Sequence, residues 1–263
     1  MQRILRFQSR SPTQLTSTFM SLLIFGDIKR MERLWKTFVC KANQRKNRGN
    51  SPRRKHGAYL IVDAIQSAGA IPIDVKKDDV DFLATACYKW LLSPPGAGYL
   101  YVKEELIERF EPPFVGWASV KQEIFDTIDF WDIWSLKLAD TASRFEIGSP
   151  SFISFVGAKE ALKMLLNFGI ENVERRIINL TDHLIETVKG LGLELQTPEE
   201  RQYRSGIVNF KIDKPREITR RLVEKCIIVS ARAHGIRVSP HFYNTKEEID
   251  KLVEEVRKSI AKT

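Results

Sequence analysis

Gly57-Ala58-Tyr59-Leu60-Ile61-Val62-Asp63-Ala64-Ile65-Gln66 and Phe82-Leu83-Ala84-Thr85-Ala86-Cys87-Tyr88-Lys89-Trp90 are the two stretches on which the fold turns. In each, a short apolar run with β-branched and aromatic content stops at polar groups, Asp63 in the first and Tyr88-Lys89 in the second. A third run, Gly98 to Val102, follows the turn Pro94-Pro95-Gly96. Continuous runs of this length read as strands buried on both faces, the pattern of an α/β protein with a mainly parallel sheet. Helices must then cover the sheet. Ser154–Asn167 and Ile170–Leu191 supply them, the second placing Ile170, Val173, Ile177, Leu180, Leu184 and Val188 on one face and stopping at Gly190 and Gly192.

Downstream the rhythm changes. Ile207–Ile212 reads as a strand, Glu217–Lys225 as a helix, Ile227–Val229 and Ile236–Ser239 as short strands, and Thr245–Ala261 as a closing helix. Thr245 and Glu248 have the spacing of a capping box. This is a small α+β unit, and the organisation reads as a basic N-terminal segment (1–56), part of a large domain (57–168), and a connecting helix with a small C-terminal domain (169–263).

Charge separates the first segment from the rest. The chain of 263 residues carries a formal +9, yet residues 1–57 hold 14 of its 42 basic and 2 of its 33 acidic side chains, so they carry +12 and residues 58–263 carry −3. The basic balance therefore belongs to a segment, and a nucleic-acid partner is not expected for the folded part. Ile28, Met31, Leu34, Trp35, Phe38 and Val39 have helical spacing, and residues 43–56 contain no apolar side chain and read as a linker. Residues 1–21, with Arg3, Arg6, Arg10, seven Ser or Thr and no acid, also have the composition of a transit peptide. The apolar stretch Phe19–Gly26 is too short to span a bilayer, so no membrane partner is expected. Cys40, Cys87 and Cys226 stand far apart with no neighbouring His at ligand spacing, which indicates neither a disulfide framework nor a metal site and leaves a reducing, cytoplasmic setting as the default.

Walker A, GxGxxG, GxSxG and HExxH motifs are absent. What remains is an acid and an amine at the ends of buried strands, where open α/β sheets bind ligands. Pyridoxal 5′-phosphate needs that pair: a lysine to form a Schiff base and an aspartate to keep the ring nitrogen protonated.

Four blocks extend the pattern: Asp63-Ala64-Ile65-Gln66-Ser67, Thr85-Ala86-Cys87-Tyr88-Lys89-Trp90, Arg144-Phe145-Glu146-Ile147-Gly148-Ser149-Pro150, and Gly235-Ile236-Arg237-Val238-Ser239-Pro240-His241-Phe242-Tyr243-Asn244-Thr245. Their order resembles that in class V aminotransferases, the fold-type I pyridoxal phosphate family that also holds cysteine desulfurases, kynureninase and isopenicillin N epimerase-like proteins. The resemblance implies Lys89 as the catalytic Schiff-base lysine, Asp63 as the partner of the ring nitrogen, and Gln66 as a hydrogen-bond partner of the cofactor's phenolic oxygen. It implies Tyr88 at a phosphate-binding position, Ser149 reaching across a homodimer interface to the partner's phosphate, and Arg237 clamping the α-carboxylate of an amino-acid substrate. His234 and His241 read as packing or rim residues. Cys226, after the helical Arg220–Lys225, reads as a buried small hydrophobe rather than a desulfurase nucleophile. The isopenicillin N epimerase-like branch fits the Ser239–Thr245 ending best.

The resemblance starts near His56. The helix, strands, phosphate loop and stacking aromatic that precede the Asp strand in relatives have no counterpart in residues 1–55, so the expectation is an N-terminally truncated relative whose activity is impaired. An inactive remnant or an interaction module with a basic N-terminal segment is the rival reading, and a cysteine desulfurase-like lyase the second.

Overall fold

The computed structural model describes residues 58–121 and 136–261. The basic segment, with its expected amphipathic helix and linker, lies outside the described residues. The first sheet holds β1 (Ile61–Asp63), β2 (Phe82–Ala86) and β3 (Gly98–Val102), in that spatial order. β1 and β2 are parallel with Asp63 level with Ala84, whereas β3 is antiparallel to β2 with Gly98 level with Ala86. Residues 64–81 make the crossover that parallel neighbours require.

Burial on both faces is realised only in β2, where Leu83 to Ala86 are all buried. In β3 the first three residues are exposed, Tyr99 at 42% and Leu100 at 50%, and β1 is half-buried with Asp63 exposed. The expectation fails for the outer strands because, among the described residues of this sheet, only β2 has a neighbour on each side.

After a short α1 (Glu104–Ile107), two long helices follow, α2 (Phe152–Phe168) and α3 (Ile170–Gly190), joined at Gly169 with φ +88°. The apolar face expected for α3 is real, and it serves two cores. Val173 and Ile177 pack with Trp90, Cys87 and Leu165, while Leu180, Leu184 and Val188 pack against the second sheet.

That second sheet, β4 (Val208–Lys211), β5 (Ser230–Arg232) and β6 (Gly235–Val238), is antiparallel in the order β4-β6-β5. Val208, Phe210, Ile236 and Val238 face a core shared with α3, α4 (Pro215–Glu224) and α5 (Lys246–Ile260). Strand periodicity then sends Asn209 and Arg237 to the opposite face. The capping box at α5 is present: Thr245 Oγ1 accepts from the Glu248 amide at 3.3 Å, and Glu248 Oε2 accepts from the Thr245 amide at 2.9 Å.

Two readings need correction near α4. The strand expected at Ile227–Val229 starts at Ser230, and Cys226 is exposed rather than buried. One hydrogen-bond pattern explains both. The Ile227 amide bonds the Leu222 carbonyl at 2.9 Å and the Cys226 amide bonds the Val223 carbonyl at 2.9 Å, a Schellman turn with Cys226 in the left-handed region at φ +59°. The turn consumes the start of the apolar run, tucks Ile227 against the core beside Leu222, and points Cys226 outward. The same motif ends α3, where Gly192 takes the left-handed position at φ +74°.

A cysteine in that position carries a Cβ penalty that glycine avoids. Cys226→Gly is therefore expected to stabilise the protein by about 1 kcal/mol, and Gly192→Ala to destabilise it by about as much, read as opposite shifts of the urea midpoint.

Candidate active site

Asp63 and Lys89 leave adjacent strands at their carboxyl ends. Asp63 closes β1 and its Oδ1 accepts the Ile65 amide at 3.0 Å, which starts the turn that carries Gln66. Gln66 is oriented by the next block: its Oε1 accepts from Trp90 Nε1 at 3.1 Å. An indole N–H can only donate, so the amide oxygen must face Trp90 and the Gln66 NH2 is left to donate elsewhere. Lys89 is half-buried, with its Nζ 5.9 Å from the centre of the Tyr88 ring and no carboxylate in ion-pair range among the described residues. Tyr88 is half-buried too, and that approach is its contact to the site.

The loop bearing Lys89 is held rigidly at both ends. Cys87 donates to the Ala97 carbonyl and accepts from the Ser93 amide, both at 3.0 Å. Ser154 of α2 donates to the Pro95 carbonyl at 2.7 Å. Cys87 is fully buried, and burial pushes its thiol up in pKa, so it is inert packing. Trp90, next to Lys89, is 5% exposed. A Cβ at Gly69 would lie 2.3 Å from the Trp90 carbonyl oxygen and one at Gly206 2.3 Å from its ring, so both positions exclude a side chain.

Arg237 occupies the middle strand of the second sheet, opposite Asn209 on one side and Ser230 on the other. Its Nε is buried without a hydrogen-bond partner, as is Asn209 Oδ1. Burial, reinforced by the charge of Arg232, holds the Arg237 guanidinium below the ordinary arginine value, and no carboxylate among the described residues neutralises it. A half-buried cation with no carboxylate beside it among the described residues is free to bind an anion, and a planar guanidinium suits a carboxylate. The ion pair within the small domain that could have explained Arg237 is absent among the described residues.

The Arg237 strand is joined to the Lys89 loop through His241. This side chain is 6% exposed, its Nε2 lies 3.0 Å from the Trp90 carbonyl oxygen, and its Nδ1 accepts the Phe242 amide at 2.8 Å. Its ring also lies against Trp90, 5.1 Å between centres. Packing was the role expected of His241, and the structure gives it that; His234 is exposed at φ +64°.

Ser149 is brought to none of these residues. It is exposed in the turn before α2, among Ile147 (57% exposed), Phe152 (72%) and Ile153 (84%). Arg144 of the same block is buried and donates to the Ile107 carbonyl at 2.6 Å, a structural use.

Comparison with known proteins gives the family. A family model, Aminotransferase class-V, matches residues 49–252. The chain belongs to that family. It is 34% identical over 203 residues to an uncharacterized aminotransferase, YcbU, of Bacillus subtilis, covering 77% of this chain and 52% of that one. Among solved structures it resembles the apo cysteine desulfurase of Thermococcus onnurineus at 26% identity and a TM-score of 0.72, covering 80% of this chain and 54% of that one. It also resembles a mutant of C-DES with glycine covalently linked to its PLP cofactor, at 26% identity and a TM-score of 0.67, covering 83% and 54%. The chain thus spans about half the length of the curated relatives it matches. Among the described residues no helix is long and apolar enough to cross a membrane.

The sequence reading missed the part played by Trp90 and His241 in joining the two halves. No spacing signals a bond between residues 151 positions apart.

Burial holds His241 below its ordinary pKa of 6.5, only partly offset by the Trp90 carbonyl. The unfolded chain then binds more protons than the native one below about pH 6.5, so stability is present above that pH and is lost as pH falls toward the native value. Urea unfolding at pH 7 and pH 5 should show a larger loss for the parent than for His241→Gln, which cannot titrate.

Proposed function

We propose that the chain acts on an α-amino acid with pyridoxal 5′-phosphate held at Lys89. The observation that carries this reading is the uncompensated Arg237 guanidinium on a strand bonded through His241 to the residue after Lys89, with Asp63 on the neighbouring strand end. Cation, amine and acid are the three groups that an amino acid and this cofactor require together. In this reading residues 57–168 carry the cofactor half and residues 169–263 the substrate-clamping half.

When bound, the cofactor supplies an aldehyde and a ring that withdraws electrons from Cα. The chain's own residues do the rest. Lys89 Nζ would hold the cofactor and would take or give a proton at the substrate's Cα. Asp63 would keep the ring nitrogen protonated, and the free Gln66 NH2 would donate to the phenolic oxygen. Tyr88 holds the phosphate of its own chain. Ser149, with no hydrogen bond in its own protomer among the described residues and an apolar collar around it, fits a homodimer in which it reaches the partner's phosphate. Arg237 takes the substrate carboxylate and thereby sets which Cα bond is activated. An epimerase-like outcome of the isopenicillin N type is the version that the Ser239–Thr245 ending favours.

The test is an absorbance spectrum of the purified chain with pyridoxal 5′-phosphate, beside Lys89→Ala. A visible band of lysine-bound cofactor in the parent, missing in the variant, is the expected result. No such band in folded parent protein would defeat the reading.

The exposure of Cys226 keeps a second reading, sulfur removal from cysteine, on the table. It stands second because the C-terminus of α4 presents negative partial charge to any anion formed there. Cys226→Ala is expected to leave action on amino acids unchanged; loss of sulfide release from cysteine in that variant would put the desulfurase reading first.

A further inference from the structure

We propose that His241 is a positioning residue: as its neutral Nε2–H tautomer it fixes the distance between the carboxylate clamp at Arg237 and the anchor at Lys89. The proposal rests on the function proposed above and gives His241, so far only a link, a role in it.

The tautomer follows from donors and acceptors. Nδ1 faces the Phe242 amide at 2.8 Å, and an amide N–H can only donate, so Nδ1 carries no proton. The proton is then on Nε2, which donates to the Trp90 carbonyl at 3.0 Å. The ring is enclosed by Trp90 on one side and by Tyr243, stacked at 6° and 5.0 Å, on another. The ring groups facing it are Trp90, Phe242 and Tyr243, and it has no ion-pair partner among the described residues. Its own amide is held by Asn244 Oδ1 at 2.8 Å, and Asn244 donates to Glu248 Oε2 at 3.0 Å at the start of α5. The imidazole is thus fixed from the small-domain side and spends its one donor on the large-domain side.

The acceptor matters as much as the donor. Trp90 O belongs to the Trp90–Leu91 peptide, one residue beyond Lys89, and Gly69 leaves that oxygen room by lacking a Cβ. Arg237 is four residues before His241 on the same segment, a span of at most about 14 Å. A substrate that is covalently joined to the cofactor and gripped by its carboxylate must meet both ends at once, so an error in their separation appears as lost affinity for the joined molecule alone.

Two variants separate the bonds. His241→Asn can place an acceptor where Nδ1 stood, keeping the Phe242 bond while falling short of Trp90. His241→Gln can place a donor where Nε2 stood, keeping the Trp90 bond while losing the other. Amide exchange of the full chain without cofactor reads the tie itself. The Asn variant is expected to speed exchange at Leu92 and Ser93 by roughly three- to tenfold, and the Gln variant to leave it near the parent rate. Equal effects, the reverse order, or no effect in the Asn variant overturn the tie.

Affinity for phosphopyridoxyl-L-alanine relative to pyridoxamine 5′-phosphate then reads positioning. Both probes carry the cofactor ring, and only the first carries a carboxylate. The Asn variant should lose roughly three- to tenfold of the parent's preference for the first while binding the second normally, as should Arg237→Ala, with no further loss when the two are combined. A preserved preference in the Asn variant overturns the positioning role. Failure of the parent to bind either probe refutes the proposed function instead, and the exchange result still decides the tie.

Discussion

The burial of Trp90 holds this structure together. Its indole donates to Gln66, its ring fills the space left by Gly206, its carbonyl accepts from His241 beside Gly69, and the residue before it is Lys89. Each contact belongs to a different part of the chain: the crossover after β1, the approach to β4, the segment after β6 and the loop after β2. Packing one large side chain with no slack therefore sets the relation of these parts, because close-packed interiors transmit small displacements rather than absorb them.

Polar groups in the candidate site owe their availability to that packing. Gln66 presents donors because its oxygen is occupied, and Lys89 is not drawn into an ion pair among the described residues. Arg237 is half-buried with its Nε enclosed and has no carboxylate beside it among the described residues, and enclosing part of a charge without a partner is costly. The cost is carried by the opposite face of the same strands, where Val208, Phe210, Ile236 and Val238 join the best-buried core of the molecule.

The long helix α3 has a matching double role. Its first half belongs with Trp90 and its second with the antiparallel sheet, so one continuous apolar stripe spans both cores. Exposure is concentrated elsewhere, at Phe152, Ile153 and Val156 on α2 and at Tyr99 and Leu100 on β3. An apolar surface of that kind is ordinary for a chain that spans only about half the length of the relatives it matches.

Elements whose cause is local were legible in the sequence. The Asp63 and Lys89 strand ends, the stripe on α3, the Thr245–Glu248 capping box and the sites of the short strands β4 and β6 all follow from hydrophobic periodicity or from hydrogen bonds between near neighbours. Cys226 was misread for a reason of the same scale in which backbone geometry overrode composition: a Schellman turn at φ +59° turned an apolar-looking position outward. Burial of β3 could not be read either, because whether a strand is central or an edge depends on which other strands pair with it. The tertiary structure alone decided that Arg237 has no carboxylate partner among the described residues, which way the Gln66 amide points, and that His241 bonds the residue after the lysine. Those are contacts between side chains and backbone far apart in sequence, and their existence is fixed by how two cores pack and not by the pattern of either one.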